Sequence, residues 1–189
     1  MVYHRYPKTW VHNEGFSRLL DLNPYQYKLI RGLDFYTYCL DIIRKQSNFT
    51  VLKGNISAVE NCNDHAQVKC NEEVFSAQFI FNSILFEKPV LKKNDHWLLQ
   101  HFKGWVIETN EDRFTLEEAT LMDFRVPQTH GTSFIYVMPF SPTKALVEYT
   151  LFTEKLLEDS QYDEALINYI DTYINPGSYK VREKEFGAI

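Results

Sequence analysis

The chain has 189 residues, enough for one domain or two small ones, and its 44% apolar and 15% aromatic residues argue against a disordered protein. The net charge of −5, with both signs scattered along the chain, gives no support to nucleic-acid binding, which needs a basic face. Glycines are few, and the closest two, Gly177 and Gly187, are ten residues apart, which excludes the loops G-x-G-x-x-G and G-x-x-x-x-G-K-S/T that bind nucleotide phosphates.

The first strong pattern in the chain predicts a helix over residues 24–45. Asn23 followed by Pro24 is typical of a helix N-cap and first helical position. Apolar residues then recur at helical spacing, namely Leu29, Leu33, Tyr36, Leu40 and Ile43.

Short strands are predicted after this helix. They cover residues 48–53, 55–60 and 65–70, with the turn-forming residues 61–64 between the last two. A further strand is predicted over 74–86, and we expect its apolar centre at Phe79, Ile80 and Phe81 to be buried. The charged stretch 87–95 is interpreted as a connection.

The second half of the chain predicts an antiparallel sheet covered by one helix. Strands are predicted over 98–109, 120–126, 132–140, 144–153 and 178–186. Residues 141–143 join two of them as a hairpin. A helix begins near Asp159 or Ser160, presents Tyr162, Leu166, Tyr169 and Tyr173 on one face, and ends at Asn175-Pro176-Gly177. The fold class is therefore predicted to be α+β.

Neither cysteines nor histidines indicate a metal site. Cys39, Cys62 and Cys70 match no zinc or redox spacing and are expected to be reduced thiols of a cytoplasmic protein. The six histidines have no ligand spacing, so no metal is expected. The first ten residues lack the apolar segment of a signal peptide, and no apolar run approaches the roughly 18 residues that span a bilayer.

Glu148 is the candidate acid. Alternation along 144–153 places it on the face opposite the predicted core residues, beside Val137 or Tyr136 of the preceding strand according to the length of the hairpin loop. If that face is covered, desolvation raises the pKa of Glu148, and a protonated carboxyl can act as a general acid. The alternative is a solvated glutamate on an open sheet face.

Asp123 and Arg125 lie two residues apart on a predicted strand and are a second candidate pair. Arg125 either pairs with Asp123 or reaches an anion, and a pair of this kind is ordinarily structural. Aromatic and soft residues of the sheet, among them Trp105, Phe124 and Tyr136, form either core or the lining of an apolar pocket.

Several segments resemble the lycopene β-cyclases, the flavin-dependent cyclases of carotenoid synthesis. Residues 134–144, FIYVMPFSPTK, resemble the family's aromatic strand, Met-Pro and Ser-Pro-Thr-Arg/Lys turn, and 146–150, LVEYT, is similar to its F-L-E-E-T or I-E-D-T segment. Further similar segments are 104–108, GWVIE; 122–125, MDFR; 183–189, EKEFGAI; and 27–31, YKLIR. The sequence of residues 99–105, LQHFKGW, is most similar to the bacterial branch of the family.

The resemblance implies a glutathione-reductase-type FAD/NAD(P)-binding fold that carries an antiparallel substrate-domain sheet. Residues 1–96 would be a partial flavin-binding domain and 97–189 the substrate-binding sheet. The family has an N-terminal G-x-G-x-x-G unit that the glycine positions exclude here, and it continues beyond the match of 183–189. We therefore expect the central part of a cyclase, which would not hold FAD alone.

The activity implied is acid-triggered cyclisation of lycopene ends to β-rings, an intramolecular lyase reaction that requires reduced FAD without net redox change. The implied roles are general acid for Glu148 and flavin contact for Arg31, with substrate contacts from Trp105, Asp123, Phe124, Arg125 and Tyr136. The partners would be lycopene or a related carotenoid and a membrane surface, with a cytoplasmic, peripherally membrane-associated location. The alternatives are a geranylgeranyl-reductase-like flavoenzyme and a non-catalytic carotenoid- or lipid-binding module.

Overall fold

The computed structural model describes residues 1–87 and 89–189, which divide into two units. The larger unit combines Met1–Tyr36 with His96–Ile189, and the smaller one is Thr37–Asp95. This grouping differs from the predicted division at residues 96 and 97, because the N-terminal segment pairs with strands from the second half of the chain. The assignment of flavin and substrate domains stays a prediction.

A seven-stranded sheet organises the larger unit. Its strands, in chain order, are β2 (Lys8–Asn13), β3 (Phe16–Asp21), β8 (Leu99–Thr109), β9 (Glu118–Asp123), β10 (Thr132–Ser141), β11 (Lys144–Thr153) and β12 (Tyr179–Ala188). Their spatial order is β12-β8-β11-β10-β9-β2-β3. All neighbours are antiparallel except β2 and β9, which are parallel. The predicted antiparallel sheet is thus present, and it is extended by two N-terminal strands.

Helix α2 (Asp159–Tyr169) covers one face of this sheet. It begins where predicted, and the Gln161 side chain accepts a hydrogen bond from the Glu158 N–H at 2.9 Å, which satisfies one of the free amides of the first turn. The helix continues as a π-helical turn, Ile170–Ile174, and Asn175 ends it in the left-handed conformation, with a φ of 45°.

The core under α2 consists of apolar side chains that alternate along the strands. Strand β11 contributes four buried residues, Ala145, Val147, Tyr149 and Leu151, as period 2 predicts. The helix contributes Tyr162, Leu166, Tyr169 and Ile170, all buried. Full burial of one such side chain stabilises the fold by about 1.5–3 kcal/mol, so this face holds the largest core of the unit.

A two-stranded ribbon packs on the other face of the sheet. It pairs β1 (Val2–Tyr6) with β4 (Tyr27–Ile30), antiparallel. Tyr6 is fully buried against Met138 and Ala119, and its hydroxyl donates to the Pro139 carbonyl at 2.8 Å. Tyr27 and Leu29 of β4 pack against the same cluster. This ribbon partly covers the face that carries Glu148.

The smaller unit contains a three-stranded antiparallel sheet. Strands β5 (Ile56–Asn61), β6 (Ala66–Cys70) and β7 (Glu73–Ala77) pair in sequence order, and the predicted turn at 61–64 joins the first two. Helix α1 (Gly32–Arg44) precedes them and has no buried residue.

The predicted helix over 24–45 was wrong in its first part. Residues 27–30 form β4, and the helix begins at Gly32. Leu29 fits a helical spacing with Leu33, but Tyr27 and Leu29 also alternate as in a strand, and pairing with β1 decides between the two patterns.

Two other predictions for the first half were wrong. Residues 48–53 form no strand, and the strand predicted over 74–86 ends at Ala77. Phe79 and Phe81 are 80% and 99% exposed rather than buried. Past Ala77 these residues have no neighbouring strand among those the structure describes, so their apolar pattern finds no partner within 1–87 and 89–189.

Candidate active site on the sheet face opposite helix α2

Glu148 lies in the middle of β11, between a tyrosine and a glycine on the two adjacent strands. In β10 its direct partner is Tyr136, and in β8 it is Gly104. Ser141 pairs with Lys144, so the hairpin loop is Pro142-Thr143, and an irregularity between Pro139 and Ser141 shifts the register so that Tyr136 rather than Val137 lies opposite Glu148. This is one of the two partners that the sequence allowed. Glu148 points away from α2 and is half-buried.

The carboxyl of Glu148 is held in its protonated form up to neutral pH. Burial raises its pKa, the neighbouring Glu185 carboxylate raises it further, and a hydrogen bond from Thr150 lowers it, with a resulting value of about 7. That hydrogen bond joins Thr150 Oγ1 to Glu148 Oε1 at 3.0 Å. An ordinary glutamate has a pKa near 4.3, so Glu148 is a carboxylic acid rather than a carboxylate over much of the range below pH 7.

Aromatic rings line the sheet beside Glu148. The Phe134 ring lies edge-on to Tyr136 at a centroid distance of 5.2 Å, to Phe124 at 5.5 Å, and near Phe152 at 6.4 Å. Phe134 is buried, while the other three are half-buried and so present ring surface at this face. Rings in this arrangement expel water and present negative π faces to any positive charge.

Two glycines on this face leave room for side chains of neighbouring strands to lie over them. A Cβ placed on Gly104 would lie 2.7 Å from Glu185 Oε1 and 3.0 Å from Leu146 Cδ1. A Cβ on Gly187 would lie 2.4 Å from Phe102 Cζ. Only glycine allows these side chains to lie flat across the strands, which is a known use of glycine inside a sheet.

Asp123 and Arg125 form a buried ion pair on the other face, beneath α2. Arg125 donates to the carboxylate from Nε at 2.9 Å and from Nη2 at 2.6 Å, and Tyr169 donates from its hydroxyl at 2.8 Å. Burial alone would raise the pKa of Asp123, but the hydrogen bonds from Arg125 and Tyr169 outweigh it and lower the pKa. Arg125 also lies 4.2 Å above the Tyr173 ring.

Trp105 lies on the same face as that ion pair and not beside Glu148. It pairs with Val147 and belongs to the core under α2. The Lys184 Nζ lies 4.9 Å from the centre of its ring. Of the five predicted substrate contacts, the structure thus brings only Phe124 and Tyr136 to the face of Glu148, because neighbouring residues of a strand point to opposite faces.

Arg31 follows β4 directly and lies before the first turn of α1. Its guanidinium donates to Asp34 from Nε at 2.8 Å and from Nη2 at 2.9 Å, and it lies 4.3 Å above the Tyr3 ring. The residue is exposed and lies between β4 and α1, not within the helix that was predicted to carry it.

One cleft in the larger unit lies on the α2 side of the sheet and does not contain Glu148. It has a volume of about 330 Å³ and lies between α2 and the residues after β9, next to Arg125, His130 and Tyr173. Its lining includes Glu164 together with Arg125 and Tyr169, whose side chains are engaged by Asp123. We locate the candidate chemistry at Glu148, on the opposite face, because that carboxyl lies among aromatic rings and has a raised pKa.

Glu185 is the neighbour of Glu148 that sequence reasoning missed. It belongs to a strand that is distant in sequence from β11, and only the order β12-β8-β11 brings the two together. A glycine in the interior of a predicted strand, Gly104, was the available indication of a close approach.

Within 1–87 and 89–189, no group of three or more His, Cys, Asp or Glu side chains is placed to hold a metal ion. None of the helices in the described part of the chain is long and apolar enough to cross a membrane.

The sequence matches the protein family described as "Lycopene cyclase protein" over residues 1–189, its entire length. The chain belongs to the lycopene cyclase family. The resemblance seen in its motifs is thus confirmed for the whole chain. Comparison with curated protein sequences finds no significant match.

Solved structures show that this lycopene cyclase family chain shares its fold with flavoenzymes. A geranylgeranyl bacteriochlorophyll reductase-like protein from Thermoplasma acidophilum matches with a TM-score of 0.67 and 11% identity, over 100% of this chain and 50% of that one. The halogenase PltM, in complex with phloroglucinol and FAD, matches with 0.65 and 11%, over 98% and 44%. A flavoprotein/dehydrogenase from Cytophaga hutchinsonii matches with 0.61 and 11%, over 98% and 50%.

These matches confirm the predicted α+β fold of the FAD-binding type. The chain spans about half the length of these solved structures.

Proposed function

We propose that this chain carries the acid site of a lycopene β-cyclase and that Glu148 is its general acid. The observation that supports this most directly is a half-buried glutamate with a pKa of about 7, set among aromatic rings on a sheet face. A general acid works best when its pKa lies near the working pH, because it then holds its proton and still releases it.

In the proposed reaction Glu148 transfers its proton to the terminal double bond of a lycopene ψ-end. The electrons of that double bond form the new C–H bond and leave a tertiary carbocation. The neighbouring double bond attacks this cation and closes the six-membered ring, which moves the positive charge into the ring. Loss of a ring proton, with the Glu148 carboxylate as acceptor, forms the β-ring double bond and restores the acid. Product and substrate are isomers.

Phe124 and Tyr136 are the proposed substrate contacts, together with Phe134 and Phe152. Their ring faces favour a developing cation electrostatically, by roughly 0.5–2 kcal/mol per well-placed ring. We do not extend this role to Trp105, Asp123 and Arg125, because all three lie on the α2 face, where they stabilise the core.

FAD supplies redox-active flavin chemistry when bound in flavoenzymes, but the residues described here do not fit its pyrophosphate. Parallel strand pairing occurs, in the described part of the chain, only between β2 and β9, and no glycine loop joins a strand to a helix there. Arg31 is the proposed flavin contact, and its guanidinium already pairs with Asp34. The proposed mechanism therefore contains no step through the flavin.

The proposed partners are lycopene or a related carotenoid and the membrane surface that holds it. A C40 hydrocarbon has negligible solubility in water, so a protein that acts on it must take it from a lipid phase. Peripheral association with a membrane is accordingly part of the proposal.

The test is substitution of Glu148 in the protein at its natural length, expressed in a bacterial strain that produces lycopene. Glu148→Gln keeps shape and hydrogen bonding but has no acidic proton, so we expect β-ring formation to fall by about 10²–10⁴-fold. Glu148→Asp keeps the acid and should retain part of the activity.

Glu183→Gln is the matched control, since Glu183 is exposed on the next strand but one and forms only a loose pair with Lys144 at 3.8 Å. Pigments are separated by chromatography. Normal amounts of β-carotene from the Glu148→Gln protein would remove Glu148 from the acid role.

A geranylgeranyl-reductase-like activity is the second candidate, favoured by the TM-score of 0.67 to the Thermoplasma acidophilum protein. Product mass separates the two: an isomer of the substrate supports cyclisation, and two added hydrogens support reduction. A non-catalytic carotenoid-binding module would instead retain its ligand and its cellular effect in the Glu148→Gln variant.

A further inference from the structure

Three adjacent strands bring two glutamates to either side of one glycine. Gly104 of β8 pairs with Glu148 of β11 on one side and with Glu185 of β12 on the other. Strands lie about 4.8 Å apart, so the two glutamate Cα atoms are about 10 Å apart. Directly paired residues point to the same face, and two glutamate side chains together span that separation.

The side chain of Glu185 lies over Gly104. A Cβ on Gly104 would be 2.7 Å from Glu185 Oε1 and 2.9 Å from Glu185 Cγ. Any residue other than glycine at this position would displace the glutamate. Because Glu148 and Glu185 both pair with Gly104, from opposite sides, their carboxyls face the space that the missing side chain leaves.

We propose that Glu185 is a positioning residue for Glu148, and that the two carboxyls share one proton across Gly104. This inference rests on the proposed function, because it assigns to Glu185 the role of keeping the proposed acid, Glu148, protonated and oriented. Glu148 Oε1 accepts the Thr150 hydroxyl, which leaves Oε2 as the oxygen that would carry the shared proton toward Glu185. A neighbouring carboxylate disfavours the charged form of Glu148 and so favours retention of its proton.

The remaining groups that face Glu148 do not oppose this arrangement. Tyr27 of β4 and Tyr136 of β10 both interact electrostatically with Glu148, and burial raises the pKa of each, so they are neutral at pH 7. No salt bridge joins Glu148 to a Lys or Arg of the described residues.

The experiment measures the ionisation of Glu148 directly, in the protein at its natural length. The C=O band of its protonated carboxyl is followed by infrared difference spectroscopy as pH rises, and the band is assigned by its loss in Glu148→Gln. In Glu185→Gln the neighbouring charge is removed, so we expect the Glu148 titration to move to lower pH by on the order of one unit. The high-pH limb of the cyclisation rate should move with it.

Glu183→Gln is again the matched control, since it removes a carboxylate from the same strand and the same face without touching Glu148. It should leave both the titration and the rate profile in place. Gly104→Ala is the second variant: it retains both glutamates but displaces Glu185, and so should shift the titration in the same direction as Glu185→Gln.

An unchanged Glu148 titration in both Glu185→Gln and Gly104→Ala overturns the shared proton. If Glu185→Gln fails to fold, Gly104→Ala decides alone. If the wild-type protein forms no β-rings, the proposed function fails, and the infrared titration still decides whether Glu185 is the partner of Glu148.

Discussion

A carboxyl that keeps its proton to about pH 7 in the folded protein destabilises the fold when it ionises. The Glu148 pKa of about 7 exceeds the unfolded value near 4.3, so the folded state binds the proton more tightly between these values. The contribution of Glu148 to the free energy of unfolding is fully present below about pH 4.3 and is lost as the pH rises through about 7. The buried environment that makes Glu148 a candidate acid therefore has a measurable thermodynamic consequence.

We predict that Glu148→Gln is more stable than the wild type at pH 8, by about 2–3 kcal/mol, and equally stable near pH 4. The neutral amide avoids the cost of an ionised carboxylate at this position. Urea unfolding at a series of pH values measures the difference. A constant difference across this pH range would show that Glu148 ionises in the same way in the folded and unfolded states.

Asp123 is the opposite case, a buried carboxylate whose pKa is lowered by its partners. Its contribution to stability is present above the unfolded pKa of about 3.9 and is lost as the pH falls through the lower folded value. We predict that Asp123→Asn destabilises the fold by about 3 kcal/mol at pH 7, because Arg125 is left without its partner beneath α2.

The matched control for Asp123 is Glu111→Gln, since Glu111 pairs with Arg113 at 3.0 Å on the surface and is 74% exposed. Exposed pairs contribute little, so this variant should unfold at the wild-type urea concentration. Equal effects of the two substitutions would contradict the structural role of the buried pair.

The part of the site that lies on β11 and its hairpin partner β10 was predictable from the sequence. Alternation along β11 predicts the face of Glu148, and the short loop restricts its partner to Val137 or Tyr136. Glu185 was not predictable, because β12 reaches Glu148 only through β8, and strand order is a property of the whole chain. Trp105, which the resemblance implied as a substrate contact, lies in the core under α2 because it pairs with Val147 and so points to the face opposite Glu148.

At the scale of elements, local pattern predicted best where a strand or helix has one buried face. Strand β11 has the predicted bounds 144–153, and α2 begins at the predicted Asp159. The errors are in segments whose partners are distant or lacking. Residues 27–30 become a strand through pairing with β1, and Phe79 and Phe81 are apolar without being buried.

Helix α2 is held to the sheet by a narrow apolar stripe, which predicts very different effects for neighbouring residues. Leu166 is fully buried in the core, whereas Ile167 is 41% exposed. We predict that Leu166→Ala destabilises the fold by about 2–5 kcal/mol, and that Ile167→Ala costs less than about 1 kcal/mol. Thermal or urea unfolding measures both; similar losses would mean that α2 packs in another rotation.

At the scale of the whole molecule, the main sheet depends on contacts between the two ends of the sequence. Strands β2 and β3 extend a sheet whose other strands all come from residues 99–188, through the parallel pair β2 and β9. Such pairing leaves no local pattern, since parallel neighbours are joined by long connections. The sequence therefore indicated two successive domains. In the structure one unit is built from both ends of the chain, and the second unit consists of the residues that lie between those ends in sequence.

This arrangement leads to a prediction about flavin. The fold is shared with flavoenzymes, yet the positions of the glycines exclude the loop that would place backbone amides around a pyrophosphate. We predict that the 189-residue chain, purified after incubation with excess FAD and desalted, retains no stoichiometric yellow flavin.

The same reasoning predicts that adding FAD leaves the unfolding temperature of this chain unchanged. A ligand raises the unfolding temperature only if it binds the folded state more tightly than the unfolded state. The protein at its natural length is the comparison in both measurements. Stoichiometric flavin on the 189-residue chain, or a rise in its unfolding temperature with FAD concentration, would mean that the face around Arg31 binds the cofactor without a glycine loop. Retention by the natural-length protein alone would assign the pyrophosphate site to residues outside this chain, while the acid site proposed at Glu148 would be the part that the chain itself supplies.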